Sequence, residues 1–409
     1  MKKIILLVSI CCLFKHISAQ RIVTEHLVTD ISFLASDDNN GRATSSIDEL
    51  IVADYIADKM KSIGLTPLGN KGYFYDFDYR VSSKAHDTTT AGEPLRKGRN
   101  VIAILDNQAK LSIVIGAHYD HCGRGFDGNS LDPNPKGKIH NGADDNASGV
   151  AGVLELARFF MHNGIDENYN FIFMTFSGEE LGLIGSKKWC ENPTYPLSQI
   201  NYMINMDMIG RLNEETKKLL IYGVGTSDAF IPALEKTNSY FSMKYDSAGV
   251  GPSDQTSFYL KDIPVLHFFT GQHSDYHKPT DDIDKVNYEG EARVLENIVD
   301  LIFELDSKPK LSFLKTKTME MKTGGFKVTM GVMPDYAFEE VGLRLDGVSD
   351  GKPADKAGLK AGDIILKIGE RDVNNVNVYM EILGEHEKGE TVTIYFQRKG
   401  VLMETSLTF

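Results

Sequence analysis

The stretch Asn141-Gly142-Ala143-Asp144-Asp145-Asn146-Ala147-Ser148-Gly149 decides how the rest of the sequence is interpreted. It places two adjacent carboxylates after a glycine and directly before an apolar run that extends to His162. Carboxylates held close to further carboxylates repel one another unless a cation or a proton lies between them. We therefore interpret the stretch as the entry to a helix that carries a ligand shared by two metal ions.

The composition describes a folded protein of more than one domain. The chain has 409 residues, 42% of them hydrophobic and 25% charged, which allows a full core and is typical of globular proteins. The net charge of −13 argues against a nucleic-acid partner, which would favour a basic surface. Beyond residue 19 only Cys122 and Cys190 remain, too few for a disulfide framework, and the sequence does not show whether they pair.

Residues 1–19 have the pattern of a signal peptide. Two lysines precede an apolar run at residues 4–14, and Ser18-Ala19 supplies small residues at a plausible cleavage point. The run is shorter than the ~20 residues that a membrane-spanning helix needs, and no later stretch is long and apolar enough. We expect a secreted or periplasmic protein without a membrane span.

Residues 20–305 alternate between strand-like and helical patterns. Strands are predicted at residues 74–79, 101–105, 111–117, 170–176, 203–208 and 264–269, and helices within 21–64 and at 147–162 and 289–305. Asp145 or Asn146 is expected to cap the N-terminus of the helix at residues 147–162. Residues 82–99 are predicted to form a polar loop. Alternating strands and helices predict an α/β fold, with a mixed, largely parallel central sheet covered by helices on both faces.

The composition changes after residue 305. Residues 306–325 are rich in Lys, Ser and Thr and end in Gly324-Gly325, which predicts a linker. Residues 326–409 contain short strand-like runs and glycine-rich turns. We predict a second, smaller β/α domain there.

Polar side chains follow three of the predicted strands. His118 follows one strand, Glu179 and Glu180 follow another, and Asp207 lies at the end of a third. Ligands collect at the carboxyl ends of strands in open α/β sheets. Segments distant in sequence are therefore expected to converge.

Five candidate metal ligands offer nitrogen or oxygen: His118, Asp145, Glu180, Asp207 and His277. Imidazoles and carboxylates without thiolates suit a catalytic zinc pair better than a closed structural site. Asp145 would bridge both ions, His118 and Asp207 would complete one site, and Glu180 and His277 the other. Two ions ~3.5–4 Å apart can activate a shared water and polarise a carbonyl oxygen.

Three further residues are candidates for catalysis around this cluster. Glu179 is the candidate general base, passing the proton of the water to the leaving amine. Asp120 is expected to orient the His118 imidazole, and Tyr276 to donate a hydrogen bond to the developing oxyanion. Four histidines do not fit the pattern and are interpreted as structural or surface residues: His121, His140, His267 and His273.

These motifs together resemble the secreted di-zinc aminopeptidases of bacteria, zinc exopeptidases whose relatives include glutaminyl cyclases and glutamate carboxypeptidases. The resemblance covers residues 20–305 and rests on 117–120, 142–149, 177–182, 205–208 and 275–281. It implies the same metal pairing, with Asp145 as the bridge and Glu179 as the base, and a cis peptide bond at Asp145–Asn146. Gln255 departs from it, because relatives often carry histidine after Ser-Asp, and this puts a substrate contact there in doubt.

The C-terminal region resembles a PDZ domain. Residues 329–332, Thr-Met-Gly-Val, match the loop that holds a peptide's terminal carboxylate, and residues 351–365 match the turn, helix and strand that follow. PDZ domains bind extended peptides by adding a strand to a sheet edge. The resemblance implies a peptide C-terminus or a protein as partner, and the alternative is a packing or oligomerisation module.

The sequence thus predicts a zinc aminopeptidase with two zinc ions per chain. It would act on peptides with a free N-terminus, whose α-amino group an acidic pocket would hold. One alternative is a single-zinc acyltransferase of the glutaminyl cyclase type. The other is a non-catalytic peptide-binding protein whose working part is the PDZ-like domain.

Overall fold

The computed structural model describes residues 22–80, 93–316, 328–334, 338, 340–348, 351–374 and 376–409. The predicted signal peptide, residues 1–19, lies outside them, as do residues 317–325 of the predicted linker. Among the helices in the described part of the chain, none combines the length and the apolar character needed to cross a bilayer.

The larger unit combines seven helices and nine strands within the described residues. The helices are α1 Thr24–Leu34, α2 Ile47–Ile63, α3 Gly149–His162, α4 Ile184–Glu191, α5 Phe230–Thr237, α6 Gln255–Tyr259 and α7 Tyr288–Asp306. The strands are β1 Thr66–Pro67, β2 Phe74–Tyr79, β3 Arg96–Leu105, β4 Leu111–His118, β5 Tyr169–Phe176, β6 Ile200–Met206, β7 Lys218–Tyr222, β8 Ser242–Asp246 and β9 Val265–Phe269.

These strands form one mixed sheet in the order β1-β3-β5-β4-β6-β9-β7-β8, with β2 paired to β3. The central run β5-β4-β6-β9 is parallel, and β3 and β7 join its two sides antiparallel. Because successive side chains of a strand point to opposite faces, Ile113 and Ile115 of β4 pack in one core cluster while Val114 packs in another. Helices α1, α2, α3, α5 and α7 contribute to the first cluster, and α4 and α6 to the second. The predicted fold class is confirmed.

One predicted loop is partly wrong. The prediction of a loop at residues 82–99 is wrong from Arg96 onward, where β3 begins and pairs with β2, and residues 82–92 lie outside the described part of the chain. Arg99 lies opposite Asp76 and donates a hydrogen bond of 2.7 Å to its carboxylate. The polar sequence therefore suits a strand, because its charges meet partners on the neighbouring strand rather than an apolar core.

The strand register brings the polar strand ends together. His118, the last residue of β4, lies opposite Phe176, the last residue of β5. Gly116 pairs with Asn205 of β6, so Asp207, two residues on, lies level with His118. The residues that follow β4, β5 and β6 therefore share one edge of the sheet.

The smaller unit has its own sheet and core. It comprises β10 Val332–Pro334, β11 Leu343–Val348, α8 Pro353–Lys356, β12 Ile364–Ile368, β13 Arg371–Asp372, α9 Val376–Glu385, β14 Thr391–Arg398 and β15 Val401–Thr408. The strand order is β10-β11-β12-β14-β15, with β13 paired to β12. Its apolar side chains form a separate cluster, which agrees with the prediction of a second, smaller β/α domain.

Candidate metal centre

All five predicted ligands meet at the carboxyl edge of the central sheet. His118 Nε2 lies 3.4 Å from Asp145 Oδ1 and 3.4 Å from Asp207 Oδ1. His277 Nε2 lies 3.1 Å from Asp145 Oδ2 and 3.1 Å from Glu180 Oε2. The two oxygens of Asp145 thus face two different groups of donors, which is the arrangement of a bridging carboxylate.

The tautomers of both imidazoles are set by main-chain carbonyls. His277 Nδ1 donates to Asn129 O at 2.7 Å, and His118 Nδ1 donates to Asp120 O at 3.2 Å. In the neutral ring the Nε2 lone pair therefore points at the carboxylates. A lone pair aimed at a buried anion is favourable only when a cation or a proton lies between them, so the residues fit a metal site.

The electrostatics of His118 support the same conclusion. Burial by itself lowers the pKa of His118, but the carboxylates of Asp207 and Glu179 outweigh it and hold the pKa well above its ordinary value. Asp145 Oδ2 is buried and accepts no hydrogen bond within the described residues. The cluster therefore carries an excess of negative charge that nitrogen- and oxygen-binding divalent ions such as zinc would neutralise.

Asn146 links the Asp145 loop to the Asp207 loop. The peptide bond Asp145–Asn146 is cis, as the resemblance implies. The Asn146 amide donates to Met206 O at 2.9 Å and accepts from Gly149 N at 2.9 Å and from Met208 N at 3.3 Å. It therefore caps the following helix, and it also holds both neighbours of Asp207.

Glu179 faces the cluster from the turn after β5. Its Oε2 lies 3.9 Å from His118 Nε2, and its side chain is 11% exposed. Burial raises the pKa of Glu179 and the carboxylates of Asp207 and Asp254 add to this, so that the pKa stays well above its usual value despite His118. A carboxylate with a raised pKa beside an open pocket suits a group that accepts and releases a proton.

Asp120 makes different contacts from those expected. Its Oδ1 lies 3.8 Å from His118 Nδ1, so the imidazole hydrogen bonds to its main-chain carbonyl instead. The carboxylate accepts from Glu179 N at 3.1 Å and from the Thr44 hydroxyl at 2.7 Å. Asp120 therefore orients His118 through its backbone and places the candidate base through its side chain.

Tyr276 lies in the wall of the pocket. Its ring stacks on His277, with centroids 3.9 Å apart and 25° between the planes. Burial raises the pKa of Tyr276 well above its ordinary value, and Asp145 and Glu180 raise it further while His277 opposes them. The hydroxyl therefore keeps its proton at neutral pH and is available as a donor.

An open pocket of about 520 Å³, a volume that includes solvent at its mouth, lies over the cluster. Its lining combines the acidic cluster with apolar walls: His118, Asp145, Glu179, Asp207, Met208, Tyr222, Pro252, His267, Phe269, Gln272, Tyr276 and His277. Gln255 is buried and hydrogen bonds to Asn205, and it is not among these lining residues. The doubt about a substrate contact at that position is consistent with this placement.

Two histidines lie closer to the site than the sequence suggested. His121 is buried, and its Nδ1 lies 2.7 Å from Glu180 Oε1, so it orients a predicted ligand. His267 lines the pocket, where burial lowers its pKa to about 4. The short spacing from His118 to His121, directly after a strand, was the available signal for the first, and no comparable signal marked the second. His140 and His273 are structural, bonded to Ser130 and Asp144.

Neither cysteine forms a disulfide. Cys122 and Cys190 are both free and buried. Cys122 Sγ lies 4.0 Å from Glu180 Oε1, whereas Cys190 packs in the second core cluster of the sheet. The pairing that the sequence left open therefore does not occur in this structure.

An α/β sheet with a cluster of imidazoles and carboxylates at the carboxyl ends of its strands is typical of α/β metalloenzymes. Residues 100–302 match Peptidase family M28, and residues 318–408 match the PDZ domain family. The chain therefore carries a Peptidase M28 domain, the domain of a zinc metallopeptidase, followed by a C-terminal PDZ domain.

Relatives of known name are similar over part of their length. Leupeptin-inactivating enzyme 1 of Streptomyces exfoliatus is 28% identical, over 63% of this chain and 50% of the relative. Aminopeptidase YwaD of Bacillus subtilis is 26% identical, over 44% of this chain and 41% of the relative. The chain thus spans half or less of these two relatives.

Solved structures share the fold at low sequence identity. The zinc aminopeptidase BSAP of Bacillus subtilis superimposes with a TM-score of 0.54 at 16% identity, over 73% of this chain and 99% of that one. Glutaminyl cyclase of Porphyromonas gingivalis superimposes with a TM-score of 0.55 at 18% identity, over 70% and 99%. The larger unit therefore has the zinc exopeptidase fold.

Proposed function

We propose that this protein is a secreted or periplasmic aminopeptidase that uses two zinc ions to remove N-terminal residues from peptides. The observation that carries the proposal is the bridging position of Asp145, whose two oxygens face separate donor groups. The aminopeptidase name of a relative that is 26% identical supports the reaction class. The apparent signal peptide supports the location.

The ligand assignment follows from the distances. His118 and Asp207 would hold one ion with Asp145 Oδ1, and Glu180 and His277 would hold the other with Asp145 Oδ2. Zinc bound in such a pair makes water acidic enough to ionise near neutral pH and polarises the scissile carbonyl. The chain's own residues then orient the substrate and move protons.

Glu179 is proposed as the general base. It takes a proton from the attacking water and delivers it to the leaving amine, and its raised pKa suits both steps. The hydrogen bond from its main-chain N–H to Asp120 fixes its backbone. Tyr276 would donate a hydrogen bond from its hydroxyl to the oxygen that becomes negative as the carbonyl is attacked.

The pocket explains why an N-terminal residue would be cleaved. Carboxylates including Glu179 and Asp207 line it and would attract the protonated α-amino group of a peptide. Met208, Tyr222 and Phe269 supply apolar walls for the side chain of that residue. A peptide without a free amine would lose this attraction and bind less tightly.

The test of the base is Glu179→Gln in the zinc-loaded protein, assayed on amino-acid amides. Loss of a general base is expected to lower kcat by about 10²–10⁴-fold, or ~3–5 kcal/mol in activation free energy. Glu191→Gln is the matched control, because Glu191 is exposed and forms an ion pair with Lys188 on the surface of α4. Normal turnover by a folded, zinc-loaded Glu179→Gln protein would show that the base is assigned wrongly.

The glutaminyl cyclase alternative predicts different products from the same fold. A cyclase would release ammonia from a peptide with N-terminal glutamine, without cutting a peptide bond, and would hold one zinc per chain. The aminopeptidase would free glutamine and hold two. Metal analysis combined with mass spectrometry of the products separates them.

For the smaller unit we propose binding of a peptide C-terminus or of a protein partner, with the catalytic domain at residues 20–305 and the linker at 306–325. Among the strands that the structure describes, β10 lies at the end of its sheet, so an extended peptide has an edge to join. Gly331, in the predicted carboxylate loop, has φ +72°. Peptides with a free C-terminus should bind the full chain at least tenfold more tightly than the same peptides amidated, as measured by fluorescence anisotropy, and equal binding would contradict the proposal.

A further inference from the structure

Arg42 is a fully buried arginine in the segment that joins α1 to α2. A guanidinium carries a permanent charge and five N–H donors in a fixed plane. Burial of such a group is costly unless those donors find acceptors. The acceptors of Arg42 are main-chain carbonyls, and most of them belong to the two loops that bear metal ligands.

The bonds of Arg42 span both loops. Its Nε donates to Tyr119 O at 2.7 Å, one residue after His118. Its Nη2 donates to Gly142 O at 2.7 Å and to Asp145 O at 3.4 Å, and its Nη1 donates to Asn141 O. One side chain therefore fixes the main chain beside His118 and at Asp145, two of the proposed ligands of the same ion.

Asp281 accepts hydrogen bonds from the main-chain N–H groups of the loop that carries Asp145. Its carboxylate accepts from Asp144 N at 3.1 Å and from Asp145 N at 3.0 Å, and its carbonyl accepts from Ala143 N at 3.2 Å. Asp281 is completely buried. The main chain at residues 141–145 is thus bonded through its carbonyls to Arg42 and through its amides to Asp281.

We propose that Arg42, together with Asp281 on the other side of the loop, is a positioning residue for the bridging carboxylate of Asp145. The affinity for zinc would then depend on the planar set of N–H donors of the Arg42 guanidinium. Among the described residues the Arg42 side chain bonds to main-chain carbonyls, and it is not among the residues that line the pocket. It acts by fixing the main chain of Asp145, which keeps the two carboxylate oxygens directed at separate donor groups. The inference rests on the proposed zinc site.

The experiment compares Arg42→Lys and Arg42→Met with a control in the full chain. Arg158→Met is the matched control, because Arg158 is also a largely buried arginine, 13% exposed, that pairs with Asp30 and Glu155. It lies nine residues after Gly149, the first residue of α3, or about 14 Å along the helix. Zinc affinity is measured by competition with a chromophoric chelator, the environment of the ions by the visible spectrum of the Co²⁺ form, and folding by thermal unfolding without metal.

Arg42→Lys keeps the charge and most of the stem but loses the planar fork. We expect it to weaken zinc binding by about 10–100-fold, the range typical of residues that orient metal ligands, and to change the Co²⁺ spectrum. Arg158→Met should lower the unfolding temperature while leaving zinc affinity within about twofold. Arg42→Met should lose at least as much affinity as Arg42→Lys, and if it does not fold, Arg42→Lys decides.

The outcomes separate this inference from the proposed function. A wild-type protein that binds no zinc would overturn the metal site itself. Wild-type affinity and an unchanged Co²⁺ spectrum in Arg42→Lys, with two zinc ions bound, would overturn only the role of Arg42. Equal loss of affinity in Arg158→Met would also overturn it, because general destabilisation would then explain the effect.

Discussion

Replacement of Asn146 by alanine should weaken the fold and the metal site together. The Asn146 side chain is completely buried and makes three hydrogen bonds, to Met206 O, Gly149 N and Met208 N. Each contributes about 0.5–1.5 kcal/mol, and the bond to Gly149 N is a helix cap of similar size, ~1 kcal/mol. Asn146→Ala is therefore expected to lower the free energy of unfolding by about 3 kcal/mol.

The assay is urea unfolding of the metal-free protein, followed by zinc titration under native conditions. Asn201→Ala is the control, since Asn201 is also buried and bonds to the Tyr169 hydroxyl and to Leu311 N. It lies at the start of β6, six residues before Asp207, or about 20 Å at 3.3 Å per residue. It should lose stability but keep zinc affinity, whereas Asn146→Ala should lose both.

Two results would refute this reasoning about Asn146. A decrease of less than about 1 kcal/mol in the free energy of unfolding would mean that Met206 O, Gly149 N and Met208 N find other hydrogen-bond partners. Unchanged zinc affinity in a destabilised protein would mean that Asp145 and Asp207 keep their positions without the amide between them.

The remaining predictions concern another ligand contact, pH and the second domain. His121→Ala, which removes the imidazole beside the proposed ligand Glu180, should weaken zinc binding by about tenfold, read from chelator competition; no change would leave His121 a core residue only. Burial raises the pKa of Asp76, but hydrogen bonds from Arg99 and Lys71 outweigh this and lower it. Asp76 therefore stabilises the fold at pH values above its ordinary pKa. Asp76→Asn should lower the free energy of unfolding by up to about 1 kcal/mol, and this loss should shrink in urea titrations as the pH falls below 4. A loss that grew in acid would contradict the lowered pKa of Asp76. Deletion of residues 326–409 should leave kcat on amino-acid amides within about threefold of the full-length value, because the pocket residues all lie before the linker. Loss of turnover in a folded truncation would show that catalysis requires the PDZ domain.

The sequence was sufficient for the parts of the fold that local pattern determines. The buried strands β4, β5 and β6 are apolar runs, and the polar residues that follow them had to reach one edge of a parallel sheet. That reasoning brought His118, Glu180 and Asp207 together correctly in space. Their roles as ligands stay a prediction that metal binding must test.

The misses share a physical cause, which is that their partners are distant in sequence. Arg96–Arg99 were assigned to a loop because their strand pairs with charged residues of β2. The interpretation of His121 and His267 as structural or surface residues missed their positions beside Glu180 and in the pocket wall, because only the short spacing after His118 marked the first and nothing local marked the second. Arg42 is charged, and a charged side chain is usually solvated, so only the fold shows that main-chain carbonyls surround it.

The charge around His118 has a consequence for how the proposed zinc site would be loaded. Burial lowers the pKa of His118, but the carboxylates of Asp207 and Glu179 hold it well above its ordinary value, which favours a proton on this imidazole when no cation neutralises them. Zinc bound at the proposed site would displace that proton into the surrounding buffer, so acid would oppose loading. Under the proposed assignment, a chain that matures in a mildly alkaline medium would bind zinc at lower concentrations than one that matures in an acidic medium.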